Sequence, residues 1–231
     1  MRKLLATLAG TMAILTAAST AQAALVQIMG DDLIFEYDDS TLFGVASVVG
    51  NSIFFNPTTF KAESLDGTGT GFTTATINIE TWVKNGSNYV MAGGSLLENG
   101  DYLLLGSNSS VSLSGQLRAT SLTQGPPFQT ADFIQTSGPL DTVGSLSAWD
   151  ASAAVDFGTV AGWDTDSHVR FTVENLLIAS TSVSGELAFI EKKFAGLGVT
   201  VLPEVPLPGA AWLFGSALLG LAGIQRRRKS S

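Results

Sequence analysis

Between residues 72 and 84, apolar and polar side chains alternate with a period of two. Apolar side chains occupy odd-numbered positions such as Ala75, Ile77 and Ile79, whereas the positions between them carry mostly threonine, asparagine and glutamate. Successive side chains of a β-strand point to opposite faces, so this pattern predicts a strand buried on one face and solvated on the other. No segment between residues 24 and 203 sustains a helical period. The sequence therefore limits this part of the chain to β-structure.

Other short strand-like segments are separated by turns rich in glycine, serine and threonine. The dipeptides Asn85-Gly86 and Asn99-Gly100 tolerate the positive φ of tight hairpin turns, so each predicts a turn. Many short strands with frequent turns predict an all-β, antiparallel domain of the β-sandwich or jelly-roll kind over residues 24–203, and a short helix at residues 146–151 is compatible with the pattern. The other predicted strands are residues 32–37, 45–49, 52–55, 95–97, 102–105, 111–121, 132–136, 153–160, 168–173, 176–184, 186–190 and 198–202.

The N-terminus has the three parts of a secretory signal peptide. Two cations open the chain, residues 4–18 are apolar and uncharged, and Ala21 and Ala23 flank one residue in a small-x-small cleavage site. We expect residues 1–23 to form a helical signal peptide that signal peptidase removes. The mature chain would then begin at Ala24.

Residues 204–231 combine three different physical properties. A motif with two prolines, Val205-Pro206-Leu207-Pro208, comes first, and proline favours extended backbone that a processing enzyme can reach. An apolar segment at residues 210–224 follows and predicts a short hydrophobic helix in a membrane; its largest side chains are Trp212, Leu213, Phe214, Leu218, Leu219 and Leu221. The chain then carries cations that stay on the cytoplasmic side of a membrane, namely Arg226, Arg227, Arg228 and Lys229.

With the sequence Trp212-Leu213-Phe214-Gly215-Ser216 at its centre, this order of motif, apolar segment and basic end resembles the PEP-CTERM sorting signal in its VPLP variant. Leu207 stands where the better-known form has glutamate. The resemblance implies an exosortase as partner, transient anchoring in the inner membrane, and delivery to the cell surface or extracellular matrix of a Gram-negative bacterium. The alternative is an ordinary C-terminal anchor, although fifteen apolar residues are fewer than the roughly 20 that a span usually needs.

The composition of the predicted domain excludes several classes of function. Residues 24–203 contain six Lys and Arg against 19 Asp and Glu, a net charge of −13, so the domain lacks the basic surface that nucleic acid requires. The chain has no cysteine, which excludes disulfide bonds and thiol catalysis in an exported protein.

Few residues suggest catalysis or metal binding. His168 is the only histidine, and no Gly-x-Ser-x-Gly motif accompanies it, so a Ser-His-Asp triad is not indicated and we expect an exposed strand residue. Asp164 and Asp166 alternate in a loop, where carboxylate oxygens are suitable ligands for calcium. They are the candidate ligands of one structural calcium ion, whereas solvated acidic turn residues are the expected state. No other cofactor is expected.

Aromatic residues suggest a contact with sugars. Trp82 falls on the polar side of its strand's alternation, which places its ring on the outer face of the sheet. It is the candidate glycan contact, and Trp149, Trp163, Tyr37, Tyr89 and Tyr102 are further candidates for a stacking platform. Aromatic residues more often fill a core than bind a ligand.

Two classes of function therefore remain open. The first is a non-catalytic exported protein of the cell surface or extracellular matrix, held near exopolysaccharide and able to bind carbohydrate. The second is a secreted glycan hydrolase that uses paired carboxylates as acid and base. Carboxylates gathered in one deep cleft would favour the hydrolase.

Overall fold

The structure, a computed structural model, describes residues 25–204. Within this range it contains thirteen strands, one 3-10 turn at Phe157–Thr159 and no α-helix. The predicted signal peptide, the sorting signal and the two flanking helices lie outside the described residues. The strands are β1 (Leu25–Met29), β2 (Leu33–Asp38), β3 (Ala46–Val49), β4 (Ser52–Phe55), β5 (Lys61–Leu65), β6 (Gly69–Val83), β7 (Tyr89–Leu105), β8 (Ser109–Ser121), β9 (Gln129–Phe133), β10 (Gln135–Thr136), β11 (Leu146–Asp156), β12 (His168–Thr181) and β13 (Leu187–Pro203).

The strands form two antiparallel sheets, which confirms the predicted all-β, antiparallel fold. The first sheet has the order β1-β2-β6-β12-β8-β9, and the second has the order β10-β11-β7-β13-β4-β3, with β5 also paired to β13. Both sheets contribute their buried side chains to one continuous apolar cluster. In β6 the predicted alternation places Ile77 and Ile79 in this cluster and leaves Asn78 exposed.

Two long strands run through residues that the sequence predicts to lie between separate strands. Residues 168–173 and 176–184 were expected as separate strands, but β12 runs through Glu174 and Asn175 without a break. Likewise β13 includes both of the segments expected at 186–190 and 198–202. Polar residues at the junctions suggested loops, yet Asn175 points into the core, where it is 2% exposed. Tertiary contacts decide the course of these strands.

A β-bulge changes which side chains of β13 face the core. The register against β7 shifts between Lys192 and Phe194, so the buried positions change from even-numbered residues such as Ile190 to odd-numbered residues such as Leu197. A bulge inserts one extra residue into a strand and reverses the alternation beyond it. The bulge therefore places Lys192 at the last buried position before the change.

Of the two predicted turns, one is confirmed and one is wrong. Gly86 has a φ of 84° in the turn between β6 and β7, as expected. Gly100 instead lies inside β7, where an added Cβ would be 1.9 Å from the carbonyl oxygen of Glu191 and 2.8 Å from the Trp149 ring. Glycine is present here because backbone and ring approach closely. The helix considered at residues 146–151 is also wrong, because this segment begins β11.

Candidate functional site

Trp82 lies half-buried on the outer face of the first sheet, near the end of β6. It pairs in register with His168 of β12, and the two rings stack with centroids 4.6 Å apart and an interplanar angle of 20°. His168 is therefore half-buried and not the exposed residue expected from the sequence. Stacking holds the indole in one orientation, which prepares its remaining surface for a flat ligand.

An open cleft of about 250 Å³ borders Trp82 and is lined by Gln27, Ile34, Val83 and Asn85 as well. We call this surface the Trp82 cleft. The indole and Ile34 offer apolar surface, while the amides of Gln27 and Asn85 supply hydrogen-bond donors and acceptors. A cleft with one aromatic ring and neutral amides suits an uncharged polar ligand.

Charged side chains continue the same face beside the Trp82 cleft. Arg170 donates to Glu80 through its Nε, at 3.2 Å, and through a terminal nitrogen, at 2.5 Å. His168 Nε2 lies 3.5 Å from the second oxygen of Glu80, and within residues 25–204 this nitrogen has no hydrogen-bond partner. Glu80 also stands directly across from Glu36 of β2. The pair Glu36 and Glu80 is a cross-strand pair of carboxylates on this face.

The imidazole of His168 is not part of a Ser-His-Asp arrangement in the described residues. Asp166 accepts from the backbone amide of His168, at 3.0 Å, and not from its ring. The side chain contacts Trp82 and Glu80 instead. The ring therefore packs against Trp82 and lies beside the carboxylate of Glu80. No hydroxyl nucleophile is among these contacts.

The predicted calcium ligands Asp164 and Asp166 occupy different environments. Asp164 is exposed in the turn before β12, whereas Asp166 is 5% exposed. The Asp166 carboxylate accepts from the hydroxyls of Ser121 and Thr123 and from the backbone amides of Ser167 and His168. These bonds join the end of β8 to the start of β12. In the part of the chain that the structure describes, no group of three or more His, Cys, Asp or Glu side chains is arranged to hold a metal ion, and calcium binding stays a prediction.

Most of the other candidate aromatic residues are buried. Trp149, Trp163, Tyr37 and Tyr102 belong to the core, and Trp163 stacks on Phe157 with ring centroids 4.2 Å apart. Tyr89 is exposed, at the start of β7. The six-residue platform considered from the sequence is therefore wrong for these four residues, and Trp82 lines the cleft without them.

A second polar cluster lies inside the core and was missed in the sequence. Glu98 of β7, Asn175 of β12 and Lys192 of β13 are all buried, and the side chains of Glu98 and Lys192 have no solvent exposure. Lys192 Nζ lies 2.6 Å from Glu98 Oε1, and Asn175 Nδ2 donates to the same oxygen at 3.2 Å. We call these three residues the buried polar cluster. Burial lowers the pKa of Lys192 to about 8, although Glu98 opposes this shift.

The sequence contains only a weak indication of the buried polar cluster. Glu98 lies on the buried parity of β7, between Leu96 and Gly100, and Lys192 continues the alternation of Ala188 and Ile190 in β13. A charged residue at a core position of an alternating strand is the clue. Its partner cannot be identified until the register of three strands is known.

No family model matches the sequence, and no curated protein matches it. Residues 25–204 include no helix that is long and apolar enough to cross a membrane. The sorting motif at Val205–Pro208, the apolar segment and the basic end lie beyond the described residues, as do Ala21 and Ala23.

Proposed function

We propose that this chain is an exported, non-catalytic protein of the cell surface or extracellular matrix that an exosortase sorts and processes. The observation that carries the proposal is the tripartite C-terminus, with its Val-Pro-Leu-Pro motif, apolar segment and four cations, in a chain that begins with a signal peptide pattern. We infer residues 204–231 to be the sorting signal, residues 1–23 the signal peptide, and residues 24–203 the exported domain. The last described strand ends at Pro203, one residue before the motif.

For the exported domain we infer a β-sandwich of the jelly-roll kind. The two antiparallel sheets and their shared apolar cluster support this architecture. Antiparallel sheets of this type serve as binding modules in many unrelated proteins, so the architecture alone does not identify a ligand. The ligand has to be argued from the surface.

Carbohydrate is the ligand that we propose for the Trp82 cleft, and exopolysaccharide is its proposed source. The stacked indole presents a rigid apolar surface beside the amides of Gln27 and Asn85. A sugar ring has an apolar face and a polar edge, so it matches this combination of groups. The half-burial of Trp82 supports binding because the ring does not need to be ordered when the ligand arrives.

A secreted glycan hydrolase is the second candidate, favoured by the carboxylate pair Glu36 and Glu80 next to the Trp82 cleft. Hydrolysis requires one carboxyl group to donate a proton and the other to act as base or nucleophile. Arg170 donates two hydrogen bonds to Glu80, so Glu80 is the candidate base or nucleophile and Glu36 is the candidate acid. Turnover of a bound glycan that Glu80→Gln abolishes would establish the hydrolase, and binding without turnover would establish the binding protein.

The sorting proposal predicts the mass of the protein recovered from the cell envelope. Mature protein should lack Arg226–Lys229, because exosortase processing removes the basic end. Replacing Pro206 and Pro208 with alanine should leave a precursor in the inner membrane, since alanine lets the segment join the helix and hides the processed bond. Intact-mass measurement of the membrane and surface fractions checks both outcomes, with Pro203→Ala as a control outside the motif.

Retention of the C-terminus in wild-type surface protein would contradict processing and support the plain membrane anchor. An unchanged mass and location in the double-alanine variant would show that the prolines are not recognised.

A further inference from the structure

Three polar side chains meet in the core between the two sheets. Asn175 comes from β12, a central strand of the first sheet, while Glu98 and Lys192 come from the neighbouring strands β7 and β13 of the second sheet. Apolar side chains surround the cluster, and Lys192 Nζ lies 5.5 Å and 5.3 Å from the ring centroids of Phe43 and Phe60. The buried polar cluster therefore lies where it can connect one sheet to the other.

As an ion pair, this cluster is poorly satisfied. Desolvation of a buried lysine and a buried glutamate costs several kcal/mol for each ion, which their attraction repays only if the remaining polar atoms are hydrogen-bonded. Glu98 Oε2 is buried and has no hydrogen-bond partner among residues 25–204. Replacement of both charges by neutral groups would remove this penalty.

The geometry brings an amine, an amide and a carboxyl group together for reaction. Lys192 Nζ donates to Asn175 Oδ1, so the amine lies next to the carbonyl carbon Cγ, one bond from that oxygen. Glu98 Oε1 contacts Lys192 Nζ at 2.6 Å and Asn175 Nδ2 at 3.2 Å. One carboxyl oxygen thus touches both the attacking nitrogen and the nitrogen that would leave.

We propose that Lys192 and Asn175 form an intramolecular isopeptide bond between the two sheets, with Glu98 as the catalytic proton carrier. Glu98 takes a proton from the lysine ammonium, and the free amine attacks Asn175 Cγ. Glu98 then transfers a proton to Nδ2, takes up another from Nζ, and the Cγ–Nδ2 bond breaks. An ammonium, a carboxylate and a primary amide become a secondary amide, a carboxylic acid and one ammonia molecule, so atoms and charge balance without any further reactant.

The surroundings of Lys192 favour attack of its amine on Asn175 Cγ over attack by water. A lysine becomes a nucleophile when burial increases its neutral fraction, and a pKa of about 8 for Lys192 gives a neutral amine in roughly one molecule in ten at pH 7. The apolar walls exclude water, which would otherwise compete for Cγ. Fixed positions on three strands hold the reactants together, and such proximity lowers the barrier of a slow amide exchange.

The bond would close a covalent loop across the last two strands. It joins β12 to β13, and β13 leads directly into the C-terminal segment. A force applied to the C-terminus would then act on a covalent link to the first sheet, and β13 could not separate from the core. The chain has no cysteine with which to make a disulfide link.

Peptide mapping of the purified full-length chain tests the proposal. Trypsin cleaves after Arg170 and, if the amine of Lys192 is free, after Lys192, which releases residues 171–192. With the bond present, cleavage moves to Lys193 and gives residues 171–193, lighter than the sequence mass by one ammonia molecule. A second digestion after Glu174, Glu186 and Glu191 should open the loop and leave residues 175–186 joined to residues 192–193 through Asn175 and Lys192.

Variants separate the isopeptide bond from other losses of ammonia. Asn175→Asp should give a looped peptide of the same mass as wild type, because the same amide forms with loss of water. Glu98→Gln should leave the peptide open, whereas Glu174→Gln, which changes the carboxylate next to Asn175 on the opposite face, should leave the loop intact. Cyclisation at Asn85-Gly86 or Asn99-Gly100 would lose ammonia from different peptides.

The wild-type digest decides the proposal even if a variant fails to fold. Release of residues 171–192 with unmodified Asn175 and Lys192 would overturn the bond. A full yield of looped peptide from Glu98→Gln would overturn the assignment of Glu98 as proton carrier.

Discussion

At the scale of single residues, Lys192 is the least expected feature of the core. A lysine with no exposed side-chain surface is rare in proteins unless it is paired. Here its partners come from both sheets, and each partner contacts the amine through a different chemical group. The arrangement specifies the relative position of β7, β12 and β13 more narrowly than apolar packing would.

The pKa of Lys192 predicts how stability depends on pH when the isopeptide bond cannot form. Asn175→Ala keeps Lys192 and Glu98 but removes the carbonyl carbon. Burial lowers the pKa of Lys192 from 10.5 to about 8 in the folded state, so between these values the unfolded chain binds more protons and stability rises with pH. The full rise in the free energy of unfolding is about 3 kcal/mol.

Denaturant unfolding between pH 7 and pH 11 measures this rise, with Asn175→Ala/Lys192→Met as the baseline for all other titrating groups. The wild-type protein should not show the rise, because an amide nitrogen does not titrate in this range. A rise of equal size in the wild type would contradict the covalent bond.

At the scale of the elements, β7 and β13 depend on a close approach at Gly100. Gly100 pairs with Lys192 in the register, next to the bulge, and the Trp149 indole donates to the carbonyl of Glu191 at 3.1 Å. These contacts hold the two strands together where the alternation of β13 changes. The absence of a side chain at Gly100 is what allows the indole to cross β7.

Gly100→Ala should therefore destabilise the fold although alanine fits strands no worse than glycine. Its Cβ would lie 1.9 Å from the Glu191 carbonyl oxygen, and relief of such overpacking costs roughly 1–3 kcal/mol. Gly138→Ala is the matched control, since nothing lies within 4 Å of a Cβ there. Thermal unfolding of both variants measures the difference, and equal melting temperatures would show that the strands absorb the extra atom without strain.

The sequence predicted β-structure well but predicted its division into strands less well. Alternation identified β6 and the outward position of Trp82, because period two depends only on neighbouring residues. The local sequence predicts strand breaks at Asn99-Gly100 and Glu174-Asn175, because strand propensity does not include tertiary contacts. In the fold, Gly100 leaves room for the Trp149 ring, and Asn175 donates a hydrogen bond to Glu98. The buried polar cluster could not be predicted, because Glu98 and Asn175 meet only through the packing of two sheets.

At the scale of the whole molecule, the net charge limits which polysaccharide could bind at the Trp82 cleft, the proposed carbohydrate site. The predicted domain carries −13, and this field repels acidic polymers at low ionic strength. The cleft itself is lined by neutral and apolar side chains. Any glycan bound there should be neutral, and its affinity should change little with salt.

A glycan array with the purified protein tests this expectation. Neutral glycans should bind, and Trp82→Ala should weaken binding roughly tenfold or more, because truncation of a central aromatic contact removes a large share of the binding energy. Phe72→Ala is the matched control, since Phe72 is an exposed aromatic residue on the same face of β6. Circular dichroism verifies that both variants keep the β fold. Equal losses in both variants, or selective binding of acidic glycans, would exclude the Trp82 cleft as the carbohydrate site.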